Sequence, residues 1–287
     1  MRRGLLGALL LAASALGAAW ASSRIETQRG SADAGAQVLY LPSGEYLKAI
    51  SLGYPEVLAD AVYIWSIQYY GHYERADRFR YLEHVYTNVI AELDPRYIDP
   101  YLIGAMIMSV EANDSEMALR LLDKGIAANP EEWILPFDAG FLCYDRMHDY
   151  PRAARYFETA LRMPQVPGAV RRLHAEMYNK MGDKRASLEY WSEVAREADS
   201  DYVRNVSSMH VHDLKIEVDL ETLRAAVAAW RLRDGGLPPD LQALARARLI
   251  ATLPVDPEGA AYLYDPRTGA VSCASRFRLR RSAGSGS

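Results

Sequence analysis

From Tyr54 to Asp199 apolar residues recur every three or four positions, in segments that each read as an amphipathic or buried helix. Pro95, Pro130 and Pro164 punctuate the run at nearly the same phase, because proline cannot continue the helical hydrogen-bond ladder. The stretches "AVYIWSIQYYG", "YLIGAMIMSVE", "PFDAGFLCYDR" and "RRLHAEMYNKMGD" each carry a small residue at mid-length. These are Ser66, Gly104, Gly140 and Ala175, spaced 38, 36 and 35 apart. A second helix follows each, with Glu83, Ala118, Ala153 and Ser187 in corresponding places, spaced 35, 35 and 34. Self-similarity at such a period predicts helix pairs that stack on one another to bury a continuous core. The small residue lets the two helices of a pair approach closely. The predicted fold class is all-α, a solenoid of about four helix pairs over residues 54–200.

The pattern changes on either side. Residues 201–234 predict one or two further helices, with a stripe through Leu223, Val227, Trp230 and Leu232 that stops at Gly235. "PPDLQALARARLI" starts another short helix with proline at its head, and "TLPVDPEG" is turn-rich. "AAYLYDPRTGAVSC" predicts two short strands around Asp265–Gly269, so that 235–275 forms a small α+β cap with a hairpin. Residues 276–287 are a flexible basic and Gly/Ser tail. At the other end, Arg2 and Arg3 precede an uncharged run, Gly4–Ala21, at the short limit of what spans a bilayer. Positive charge ahead of such a run exports the chain beyond it, and Ala19-Trp20-Ala21 fits the small-x-small pattern of a signal peptidase site. Residues 1–23 are therefore either a cleaved signal peptide or a retained anchor, and both readings put the body outside the cytoplasm. Residues 24–53 read as a linker and a short helix near Gly44–Leu52.

The repeat resembles the tetratricopeptide repeat family. "GFLCYDRMHDYPRAARYFETALRMP" holds its landmarks nearly in phase, with one extra residue in the first loop, and earlier repeats carry more. The resemblance implies a concave groove lined by the first helix of each pair. Carried over by phase, its residues are Tyr63, Ile67, Tyr70, Tyr101, Met108, Phe137, Phe141, Tyr144, Arg172, Glu176 and Asn179: an aromatic floor with one polar end. Packing between helices is the other role open to these aromatics. The family's carboxylate-clamping set is missing apart from Arg172, Asn179 and Lys180, so an apolar or amphipathic protein segment fits the groove better than a chain terminus. "YLPSGEYLKAISLGYPEVLADAVYIWSIQYYG" also looks like the opening of bacterial envelope proteins that join a hydrophobic segment to degenerate repeats of this kind. The tail resembles the soluble part of type II secretion major pseudopilins at Leu253, Pro254, Asp256, Pro257, Gly259, Tyr262 and Tyr264, but no hydrophobic pilin helix directly precedes it.

Composition narrows the picture. A net charge of −4 offers no bulk field for nucleic acid. Aromatics are tilted to tyrosine, 19 against 5 Phe and 5 Trp, which suits half-wet surfaces. Cys143 and Cys273 have neither CxxC spacing nor a histidine neighbour, and Cys143 falls in an apolar helix. No phosphate loop, GxSxG or HExxH is present, and His210 and His212 point apart on a helix. No cofactor, metal, small-molecule substrate or enzymatic activity is expected. The expectation is a non-catalytic protein-protein interaction scaffold on the extracytoplasmic side of a bacterial inner membrane. The alternative is a structural or assembly subunit of a secretion, pilus or filament apparatus.

Overall fold

The computed structural model describes residues 41–71, 78–275 and 277–279. The N-terminal apolar run, the polar linker after it and the Gly/Ser tail lie outside them. The chain divides at Leu93/Asp94 into two compact units. In the first, α1 (Gly44–Ile50) is followed by α2 (Pro55–Tyr70), which has proline in its first turn where no intrahelical donor is needed. α3 (Arg78–His84) runs on through a π-helical stretch (Val85–Ile90) into a last turn (Ala91–Leu93). α2 and α3 pack as a pair, and Ser66, fully buried, puts its Oγ 3.1 Å from the Tyr86 hydroxyl. α1 packs on the far part of α3.

The second unit holds three helix pairs. These are α4 (Ile98–Met106) with α5 (Ser115–Ala128), α6 (Ile134–Leu142) with α7 (Tyr150–Leu161), and α8 (Gly168–Lys180) with α9 (Lys184–Arg196). Each helix packs on the next in chain order, and α4 also touches α6, which is the nearest-neighbour pattern of a solenoid. The second helices start alike. Asp114, Asp149 and Asp183 accept the backbone N–H three residues on, at 2.9, 3.0 and 3.1 Å, and such caps contribute about 1 kcal/mol each.

Loop insertions explain a departure from regular helices. From the small residue of the first helix to that of the second is 12 positions in Ala175–Ser187, 13 in Gly140–Ala153 and 14 in Gly104–Ala118. α8 ends at a left-handed glycine, Gly182 (φ 80°). α4 and α6 instead pass into π-helical turns, Ile107–Glu111 and Cys143–Met147. Asn113 and His148 then take the left-handed conformation ahead of the capping aspartates. The extra residues are taken up inside the first helix as a wider turn, and the second helix starts where it must to pack.

Close approach depends on missing side chains. A Cβ on Gly140 would lie 2.7 Å from the Phe157 ring, and one on Gly125 would lie 2.8 Å from the Tyr101 ring. Ala175 and Ser187 are both fully buried, and Ser187 Oγ donates to the Ala175 carbonyl at 3.0 Å.

One continuous helix, α10 (Asp201–Asp234), packs on α9 and carries the chain into the tail, ending at left-handed Gly235. α11 (Leu241–Arg246) follows, capped by Asp240, then β1 (Leu263–Asp265) paired antiparallel with β2 (Ala270–Ser272). The stripe that meets this cap is Ile216, Leu220, Leu223 and Val227 with half-buried Trp230; Leu244, Tyr262 and Val271 pack against it. Leu232, expected on the stripe, is 89% exposed, since two residues beyond Trp230 turn the side chain to the other side of the helix. The Pro/Asp run works through Asp256, which is buried and accepts the Glu258 and Ala260 N–H groups and the Ser275 hydroxyl. Tyr262 donates to Asp219 and Tyr264 to the Pro238 carbonyl, each at 2.8 Å. Asp213 on α10 accepts the backbone N–H groups of Arg278 and Leu279.

Substituting Gly140→Ala should therefore cost about 1–3 kcal/mol in urea unfolding. Gly168→Ala, where a Cβ would meet nothing within 4 Å, should be neutral or stabilise by up to about 1 kcal/mol.

Candidate functional site

A row of aromatic rings runs along α6, through the π turn after it and on to the start of α7. Trp133 meets Phe137 at 5.9 Å, Phe137 stacks on Phe141 at 6.2 Å, Phe141 meets Tyr144 at 6.1 Å, and Tyr144 meets Tyr150 at 6.3 Å. Phe137 also touches the core ring of Phe157 at 6.1 Å, so the row is rooted in the interior. Its outer member, Phe141, is 41% exposed. At the end of α4 and in the π turn after it, the exposed counterparts are Met106 and Val110, 46% and 52% exposed. Between the two helices lies a groove of about 230 Å³, lined by Met106, Val110, Asp138, Phe141, Asp145 and Arg146. A wider depression of about 640 Å³ sits at the turns between pairs, around Arg96, Asn129, Glu131 and Gln165. Its walls are mostly polar loop segments, whereas the smaller groove is built from helix side chains, with an apolar floor and a few charged groups at its wall, as in a recognition surface.

The expected groove residues divide. Phe141 lines the groove; Phe137, half-buried on α6, and Tyr144, half-buried in the π turn that follows, flank it in the ring row without lining it. Tyr101 and Met108 do not line the groove: each is 1% exposed. The Tyr101 ring lies over Gly125, its hydroxyl donates to the Pro95 carbonyl at 3.1 Å, and burial pushes its pKa up to about 12. Met108 falls within the π turn after α4, where one extra residue per turn shifts the helical phase and leaves Val110 outward instead; Met106, the last residue of α4, is exposed ahead of that turn. In the first unit Tyr63 and Tyr70 are half-buried and Ile67 is 42% exposed. Tyr63 stands edge-on to Tyr86 at 6.3 Å.

At the polar end, Asn179 Nδ2 donates to Glu176 at 3.2 Å, and Lys180 Nζ lies 4.0 Å from the same carboxylate. Arg172 lines a separate depression with Arg171 and Glu197. The polar residues thus form a local pair and an outlier rather than a clamp.

Met106, Val110 and Asp138 were not legible as site residues. "YLIGAMIMSVE" is apolar on every face, so its phase cannot be read from composition. Asp138 did leave a trace: it is the only charge between Trp133 and Tyr144.

His174, His210 and His212 sit among packed side chains. His210 stacks flat on Trp191 at 3.8 Å, and His212 Nδ1 lies 2.9 Å from Asp213 Oδ1. His174 is buried against Tyr178 and Tyr190, and its Nε2 meets no partner among the described residues. Cys143 and Cys273 are unpaired thiols, and burial pushes that of Cys143 up to about 12. Among the described residues no group of three or more His, Cys, Asp or Glu side chains is placed to hold a metal ion. No helix among them is long and apolar enough to cross a membrane.

Fold and site together define a helical-repeat solenoid of tetratricopeptide type with an apolar groove on its first helices. No known family profile matches the chain, and no curated protein matches it. Among solved structures it is similar to the crystal structure of YrrB, a TPR protein with an unusual peptide-binding site. The match has 21% identity and a TM-score of 0.36, over 51% of this chain and 73% of that one. At that distance the architecture rests on the helix packing described above.

Burial lowers the pKa of both His174 and His210 below the ordinary 6.5. The unfolded chain then binds protons that the folded chain refuses, so stability present above pH 6.5 is lost as pH falls below it. Urea midpoints measured from pH 7.5 downward should drop through that window, and His174→Phe should flatten the slope.

Proposed function

We propose that this protein is a non-catalytic interaction scaffold that holds a segment of a protein partner in the groove between α4 and α6. The observation that carries the reading is the exposed apolar surface of Met106, Val110 and Phe141 on adjacent first helices. A free-standing apolar surface of this kind gains most when a partner removes it from water. Arg2 and Arg3 ahead of the apolar run Gly4–Ala21 support work outside the cytoplasm of a bacterial cell, at the inner membrane if the run is retained and in the periplasm if it is cleaved. A second reading, a subunit of a secretion or filament apparatus, draws support from the order of the tail: a 34-residue helix, a short helix and a hairpin. Removing residues 235–287 separates the two, since assembly would fail while groove binding persists.

A photo-crosslinking amino acid at Phe141 of the full-length chain, expressed in a bacterial host, should trap one partner in near-stoichiometric yield. Met106→Glu should abolish that crosslink while shifting the unfolding free energy by no more than about 0.5 kcal/mol, as an exposed position allows. An unchanged crosslink would refute the groove. Fusion of a periplasm-dependent phosphatase after Ser275 should give an active enzyme; an inactive fusion would refute the location.

A further inference from the structure

The groove is apolar along its floor and acidic along its α6 wall. Asp138 sits in the second turn of α6, half-buried, inside a run of twelve residues, Trp133–Tyr144, that holds no other charge. Asp145 lines the same groove two helical turns on. Among the described residues neither carboxylate makes a hydrogen bond or ion pair, and loss of water alone raises the Asp138 carboxyl above its ordinary range. The cation at the groove, Arg146, reaches instead to Asn113 Oδ1 at 3.4 Å. The capping aspartates nearby are occupied: Asp114 and Asp149 each hold a helix N-terminus.

A carboxylate in this position is costly to the free protein. Partial burial takes away water without supplying a partner, and an uncompensated charge of this sort destabilises the fold. A neutral residue would keep α6 intact at lower cost. The arrangement becomes favourable when a ligand brings the missing charge, because an ion pair closed in an apolar groove is stronger than one in water.

We infer that the groove selects a partner segment carrying a lysine or arginine beside an apolar anchor, with the anchor on Met106, Val110 and Phe141 and the cation on Asp138. This rests on the groove reading proposed above and adds the charge of the occupant to it. Asp145, further along the wall, reinforces the same preference. An uncharged apolar segment would leave Asp138 buried and unpaired, and an acidic one would meet like charge, so both are selected against.

The test uses a random peptide display library panned on the full-length protein, with binders then retitrated on Asp138→Asn and Phe141→Glu. The expected consensus joins Leu, Met or Phe to a basic residue, and its binding weakens as salt rises. A synthetic consensus peptide should lose at least about tenfold in affinity on Asp138→Asn. Its analogue with glutamine at the basic position should be indifferent to that substitution. The unfolding midpoint of Asp138→Asn should stay level or rise, which separates lost recognition from lost folding. Peptides that need Phe141 yet show no basic residue, or that are unmoved by Asp138→Asn, overturn the charge inference and leave the groove standing. Peptides that bind Phe141→Glu as well as the native protein overturn both.

Discussion

The helix pairs depend on a small residue beneath an aromatic ring. Phe157 lies where a Cβ on Gly140 would have to be, and Tyr101 where one on Gly125 would. In each case the ring fills the space the glycine leaves, so the two backbones approach closely while the core keeps interior density. The hydroxyls of Ser66 and Tyr86 make a polar version of the same approach in the first unit. With the spacing of a pair set this way, the next pair has a surface to stack on, and the caps at Asp114, Asp149 and Asp183 start each second helix from a satisfied N-terminus.

That constraint decides what happens to extra residues. The contact between the small residue and its ring cannot move, and neither can the cap, so an insertion between them has to be accommodated in the stretch that joins them. In α4 and α6 it becomes a π turn. The wider turn changes which of its own side chains face outward, and the effect reaches the groove: within it Met108 turns into the core while Val110 faces the solvent, beside Met106 at the end of α4. A feature that began as loop-length variation therefore shapes the recognition surface.

The tail obeys a different logic. α10 emerges from the array with an apolar stripe that would otherwise be open, and α11 with the hairpin covers it. Carboxylates organise this cap together with its apolar core. Asp256 gathers the turn by accepting from two backbone amides and Ser275, Asp219 takes the Tyr262 hydroxyl, and Asp213 holds the chain at Arg278 and Leu279. A two-stranded ribbon is marginal on its own, and here it is stable because it lies on a helix and is tied to it by these bonds.

Much of this architecture was readable from the chain. The period, the small residues at Gly140 and Ala175, the stop at Gly235 and the strand pair around Asp265–Gly269 are local signals, set by backbone sterics and by the spacing of apolar side chains, and they need no tertiary context to be read. The groove was legible only in part. Repeat phase pointed to Phe141, which lines the groove, because the register holds along α6 as far as its π turn; Phe137 and Tyr144 stack beside it instead. Tyr101 was misread because its burial depends on Gly125, a residue on another helix, and Met108 because the phase slips at a turn that composition does not mark. Asp138 showed as a lone charge in an apolar run, but its lack of a partner is a property of what surrounds it. The sequence by itself determined the helical repeat and its pairing, since these arise from periodicity and local sterics, while the one or two helices expected over 201–234 proved to be the single α10. The tertiary structure alone decided which faces remain open and which charges remain unpaired, since both are set by neighbours distant along the chain.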